Sequence, residues 1–136
     1  MRREDWPQRL DRVINEARTR RFGYGSFDCA ILAAAAVDAM TGSTLEQRVA
    51  SLYADGRSAV SYLRQFSGFC DAVSWELERL PVAVRAARRG DIVLYVQIDK
   101  HGSLGVCLGE QCAIPGKPQG LDFRPVVEGR CVWRID

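Results

Sequence analysis

Between Asp28 and Gly42 the chain reads Cys29-Ala30-Ile31-Leu32-Ala33-Ala34-Ala35-Ala36-Val37-Asp38-Ala39-Met40-Thr41, and no other stretch narrows the possible folds as much. Alanine and leucine are strong helix formers. Asp28 is a good N-cap, and Gly42 is placed to end the helix, so a helix is predicted over Cys29 to Met40. Ala30 and Ala33 to Ala36 carry almost no side-chain bulk, which lets neighbouring backbone approach on several sides. A helix of this composition is expected at the centre of the fold, and buried.

The rest of the chain supplies what would surround it. Leu10, Val13, Ile14 and Ala17 recur at helical spacing between Pro7 and Arg20, predicting an amphipathic helix with an arginine-rich outer face. Gly23 and Gly25 break it, and Phe22 to Phe27 alternates glycines with aromatics, a composition suited to backbone packed closely against a site. Thr44 to Ala54, Arg57 to Phe66 and Asp71 to Leu80 read as three further helices. From Arg88 onward the character changes. Ile92 to Val96, Ser103 to Leu108, Gln111 to Ile114 and Cys131 to Ile135 are short β-rich runs bounded by Gly, Pro and Asp, the pattern of an antiparallel sheet. Helices first and strands second give an α+β fold, with the alanine-rich helix lying across one sheet face. The 136 residues suit a single domain over 1–136, without repeat or linker. Pro115 to Gly120 is a turn-rich loop of the kind that serves as a contact surface.

Composition excludes several classes of function. Nineteen Lys and Arg against seventeen Asp and Glu leave a net charge of +2, too small to argue for a nucleic-acid partner. The charged N-terminus, Met1 to Pro7, lacks the apolar run of a secretory signal. The longest apolar run, Cys29 to Val37, is far short of a membrane span, so a soluble protein made in the cytoplasm is expected. Five cysteines (Cys29, Cys70, Cys107, Cys112 and Cys131) without a CxxC pair suit neither a disulfide framework nor a zinc ribbon. Cys107 and Cys112 could face each other across a tight turn at Gly109-Glu110, as a cross-strand disulfide or as two small buried thiols. No metal site is expected from His101 and the cysteines, and no cofactor is implied.

One residue carries a recognisable chemistry. A thiol in the first turn of a helix lies near unsatisfied backbone N–H groups and the positive end of the helix dipole, which favour the nucleophilic thiolate. Cys29 has that position. It reads equally well as a small buried residue at the start of a packed helix.

Three segments, Phe22-Gly23-Tyr24-Gly25-Ser26-Phe27-Asp28-Cys29, then Arg89-Gly90-Asp91-Ile92-Val93, then Leu104-Gly105-Val106-Cys107-Leu108-Gly109, together resemble the NlpC-type papain-like cysteine peptidases. In that superfamily an aromatic-glycine loop and an Asp-Cys pair open the catalytic helix, a Gly-Asp pair starts the first strand, and a later strand supplies a histidine base. The resemblance spans roughly Phe22 to Ile114 and implies a papain-like fold with Cys29 as nucleophile. It is similar in particular to a small branch found among bacteriophage and prophage tail genes, and the ending Gly120 to Ile135 shares that likeness.

For the site the implications are mixed. The position of the family's histidine holds Ser103, and the single histidine, His101, lies two residues earlier. Two strand residues share a face but are displaced by roughly 6 to 7 Å, beyond the ~3 Å reach of a general base unless the backbone bulges. Lys100-His101-Gly102 also reads as an exposed hairpin turn. The third polar position falls near Ala113 to Pro115, leaving Gln111 as the nearest candidate to orient an imidazole. The resemblance therefore implies Cys29, His101 and Gln111 as the catalytic set, with Tyr24, Asp28 and Ser103 around the substrate. Two functions stay open. One is a structural or assembly component of a phage tail tip, in the virion, touching other tail-tip or tail-hub proteins, with catalysis weakened or lost. The other is an active peptidase or amidase cutting peptidoglycan during DNA delivery. A stand-alone binding domain is a third, less supported, reading.

Overall fold

In the computed structural model, which describes residues 1–96 and 102–136, the alanine-rich run forms α2 (Cys29–Thr41). Asp28 caps it, its side chain accepting from the Ile31 N–H at 2.9 Å. Gly42 ends it in the left-handed conformation (φ 79°), where a side chain would be strained. Ile31, Leu32, Ala33, Ala34, Ala36, Val37 and Met40 are all buried, so the helix is covered on nearly every side, as its lack of bulk predicts.

Four more helices surround it: α1 (Trp6–Ala17), α3 (Leu45–Leu52), α4 (Gly56–Leu63) and α5 (Phe69–Leu77). The strands are β1 (Ile92–Val96), β2 (Gly102–Cys107), β3 (Gln111–Pro115), β4 (Leu121–Pro125) and β5 (Cys131–Trp133), with single 3-10 turns at Val84–Ala86 and Val126–Glu128. They form one antiparallel sheet in the order β4-β3-β2-β1-β5. The fold is thus α+β. α2 packs on one sheet face, against β2 and β3, with α1 and α3 against its flanks.

Both sheet faces are covered. On the α2 side, Leu10, Ile14, Leu32, Ala36, Ile92, Leu94, Leu104 and Trp133 share one core. On the other, Val93, Tyr95, Cys107, Cys112 and Val132 are sealed by Val84, Ala86, Ala87 and Val126. That second layer explains why β1 reads as an unbroken apolar run rather than an alternating one.

The Gly90-Asp91 pair has a structural task at the foot of β1. Asp91 is fully buried; its carboxylate accepts from Arg2 Nη2 at 3.0 Å, the Ile135 N–H at 2.9 Å and the Arg88 N–H at 2.8 Å. Arg134 Nε lies 3.1 Å away without the alignment of a hydrogen bond. One carboxylate thereby fastens both ends of the chain to the sheet.

Several expectations are corrected, among them three helix ends: the helices expected to reach Ala54, Phe66 and Leu80 stop at Leu52, Leu63 and Leu77. α1 stops at Ala17, short of Arg20, because Arg18 begins the turn-off and Arg20 reaches forward to donate to the Ser26 carbonyl at 2.8 Å. β5 stops at Trp133 rather than Ile135, since the Ile135 N–H is taken by Asp91 instead of a neighbouring strand. β4 was not expected from its sequence. It is an edge strand paired with β3 from Gln111↔Pro125 to Pro115↔Leu121, a setting that tolerates Asp122, Arg124 and Pro125.

Candidate functional site around Cys29

The loop before α2 is closed on itself: the Gly23 N–H donates to the Phe27 carbonyl at 3.0 Å and the Phe27 N–H to the Gly23 carbonyl at 2.8 Å. Gly25 adopts φ 84° and lies so close to the α3–α4 connection that a Cβ would sit 2.9 Å from the Ala54 carbonyl oxygen. Only glycine fits there. Its N–H donates to Asp28 Oδ2 at 3.0 Å, and the Tyr53 hydroxyl donates to the same oxygen at 2.7 Å. With the Ile31 N–H on Oδ1, the buried Asp28 carboxylate accepts three donors from its own chain. Asp28 holds the loop, the helix start and Tyr53 together rather than facing outward.

Cys29 therefore enters α2 at a fixed angle, and its thiol meets the first residues of β2. The Ser103 hydroxyl and the Leu104 N–H lie beside the sulfur. The expectation that a helix-start thiol rests against a strand beginning near residue 103 is met, since β2 starts at Gly102. The protonation state is the opposite of a nucleophile's. Burial pushes the Cys29 thiol up to about 11, and the negative charge of Asp28 adds to the rise. The donors at Leu104, Ser103 and Ala30 pull the other way without overcoming it. The residue is half-buried.

A cavity of about 430 Å³ opens at this point, lined by Tyr24, Asp28, Cys29 and Ser103 among others. Tyr24 is 48% exposed and stands edge-on to Phe22, with ring centroids 5.1 Å apart, on the solvent side of the cavity. Four of the six expected site residues thus converge. Gln111 does not. It is exposed at the hairpin end of β3, opposite Leu108, whereas the level of Ser103 lies five residues back along β2, about 16 Å at the strand rise. At the third polar position the cavity wall is Ile114 and Pro115, which cannot orient an imidazole. His101 lies outside the described residues.

The structure adds three residues that sequence reasoning missed. Tyr53 anchors Asp28 from a connection with no motif of its own. Phe69 packs so closely on Gly102 that a Cβ there would come within 2.4 Å of its ring. Lys117 lies in the Pro115–Gly120 loop, held near the site because the Phe22 N–H donates to the Pro118 carbonyl at 2.8 Å and the Gly120 N–H to the Arg20 carbonyl at 2.9 Å. Its ammonium sits 4.6 Å from the Phe22 ring centre and 5.8 Å from that of Tyr24. The loop was expected as a contact surface; that it reaches the cavity was not.

The remaining cysteines are free thiols. Cys107 and Cys112 are directly opposite each other in the β2–β3 register, and the closeness of the two thiols pulls Cys107 down to about 7 while pushing Cys112 up. Among the described residues no group of three or more His, Cys, Asp or Glu could hold a metal ion, and no helix is long and apolar enough to cross a membrane.

A family model described as a domain of unknown function, DUF6950, matches residues 1–135. No curated protein matches the chain.

Proposed function

The chain belongs to the DUF6950 family, and on that premise we propose that it is a papain-like domain of the NlpC type, spanning 1–136, whose hydrolytic chemistry has lapsed. Its role in this reading is structural, as an assembly component of a bacteriophage-type tail tip in contact with other tail-tip or tail-hub proteins. The tail setting comes from the sequence resemblance. The loss of chemistry comes from the site.

The observation that carries it is the environment of Cys29. A cysteine hydrolase needs a thiolate near neutral pH and a base that takes and returns the proton. Here burial raises the thiol, with the Ser103 hydroxyl beside it at the position where the NlpC-type resemblance places a histidine. A hydroxyl can donate a hydrogen bond to sulfur but cannot serve as that base. The order of helices and strands, α2 crossing the sheet and the thiol in its first turn are all compatible with the papain-like arrangement. The rival reading, a murein peptidase with Cys29 as nucleophile and His101 as base, requires a depressed thiol pKa.

The deciding experiment incubates the purified chain and its Cys29→Ser variant with murein stem peptides, and scores particle assembly with both. The expected result is no cleavage by either and intact assembly with the variant. Cleavage that depends on Cys29 overturns the proposal in favour of the peptidase.

A further inference from the structure

Beyond Cys29 the cavity continues between α2 and the outer helices, and its wall is apolar: Val49 and Leu52 from α3, Ala59 and Leu63 from α4, Val73 and Leu77 from α5. α4 has no fully buried residue, so its inward face lines the space rather than filling it. A volume of about 430 Å³ is in the range of small-molecule sites.

The polar groups deepest in this wall, Tyr53 with Asp28 and Tyr62 with Glu76, are paired with one another. Tyr53 donates to Asp28 at 2.7 Å; Tyr62 donates to Glu76 Oε1 at 2.7 Å, and Arg48 Nε lies 3.0 Å from Glu76 Oε2. Among the described residues, the single buried side-chain nitrogen or oxygen lacking a hydrogen bond is Arg134 Nε, which does not line the cavity. A peptide inserted among these mainly aliphatic side chains would bury amides with few partners to match, at a cost for each one left unpaired. An aliphatic chain meets no such penalty. At the exposed end the wall carries one cation among the described residues, Lys117, over the Phe22 and Tyr24 rings. Charge and polarity together describe a guest with a long apolar tail and a single anionic head.

We infer that the cavity binds a free aliphatic carboxylate of medium chain length, its tail between α3, α4 and α5 and its head at Lys117. Such binding is a separate property from the lapsed hydrolysis and the tail role, and stands or falls without either.

The test is calorimetric titration of the full chain with dodecanoate below its micelle concentration. Dodecyltrimethylammonium is the head-charge control, and Lys117→Glu and Ala59→Trp are the variants. The expected result is saturable binding of dodecanoate to a single class of site, with the cationic amphiphile weaker. Lys117→Glu should weaken dodecanoate by about tenfold or more through charge reversal at close range. Ala59→Trp, with an unchanged circular dichroism spectrum, should abolish binding by filling the space. If that variant fails to fold, Lys117→Glu and the comparison of head groups decide alone. No saturable binding, or binding that is indifferent to head charge and to Lys117→Glu, overturns the inference and leaves adsorption to apolar surface only.

Discussion

Tyr53 and Asp28 share a hydrogen bond of 2.7 Å that ties the α3–α4 connection to the first turn of the central helix. Since Gly25 and Ile31 donate to the same carboxylate, this contact completes the cradle that aims Cys29 at β2. Tyr53→Phe leaves one acceptor position of a buried carboxylate without its donor and is expected to cost about 1.5 kcal/mol. Asp28→Ala removes the cap and the two other bonds at once and is expected to cost roughly 3 kcal/mol, with Asp28→Asn in between. Urea midpoints at constant slope measure all three. Equal stability of Tyr53→Phe and the parent contradicts the role given to this contact.

Alkaline pH offers a second check, with a definite sign. The ordinary thiol value is 9.0 and the folded value of Cys29 is about 11. Below pH 9 both folded and unfolded chains keep this proton, so the group contributes no slope. Between 9 and 11 the unfolded chain releases a proton that the folded chain retains, so stability falls as pH rises, by at most about 3 kcal/mol. Cys131, raised to about 11 by burial and its neighbour Cys70, adds to the fall in the same window. The portion due to Cys29 is the difference between the parent and Cys29→Ala in unfolding free energy across that window. An unchanged slope in the variant contradicts the raised value.

Placing a base at the position where one is lacking tests the geometry from the other side. Ser103→His puts an imidazole beside the sulfur, and an imidazolium next to a thiol favours the thiolate. The expected outcome is at least about a tenfold faster alkylation of Cys29 near neutral pH than in the parent. A folded variant with an unaltered rate contradicts the assignment of Ser103 as the group facing the thiol.

The residues show why some of this was legible in the sequence and some was not. α2 is written in local chemistry: a capping aspartate, a run of strong helix formers and a terminating glycine, each acting over a few residues. β1, β2 and β3 announce themselves by apolar runs between turn residues, and the Cys107–Cys112 pairing follows from the turn at Gly109-Glu110. β4 was missed because an edge strand is held by its partner's backbone rather than by its own side chains. At the site, the approach of Cys29 to Ser103 was legible from the motif order. The raised thiol was not, since helix-start position argues for a low value and only three-dimensional enclosure reverses it. Tyr53 and Lys117 were invisible for the same reason: each is brought in by contacts between segments far apart in the chain.

The most direct measurement is the rate of iodoacetamide modification at Cys29, followed by peptide mass spectrometry so that Cys107 and the other thiols are read separately. With a thiol value of about 11 against an ordinary 9.0, the thiolate fraction near neutral pH is about 100-fold lower, so modification should run at least about tenfold slower than for an unperturbed thiol and keep rising with pH up to about 11. Modification as fast as a free thiol, or faster, near neutral pH contradicts the account.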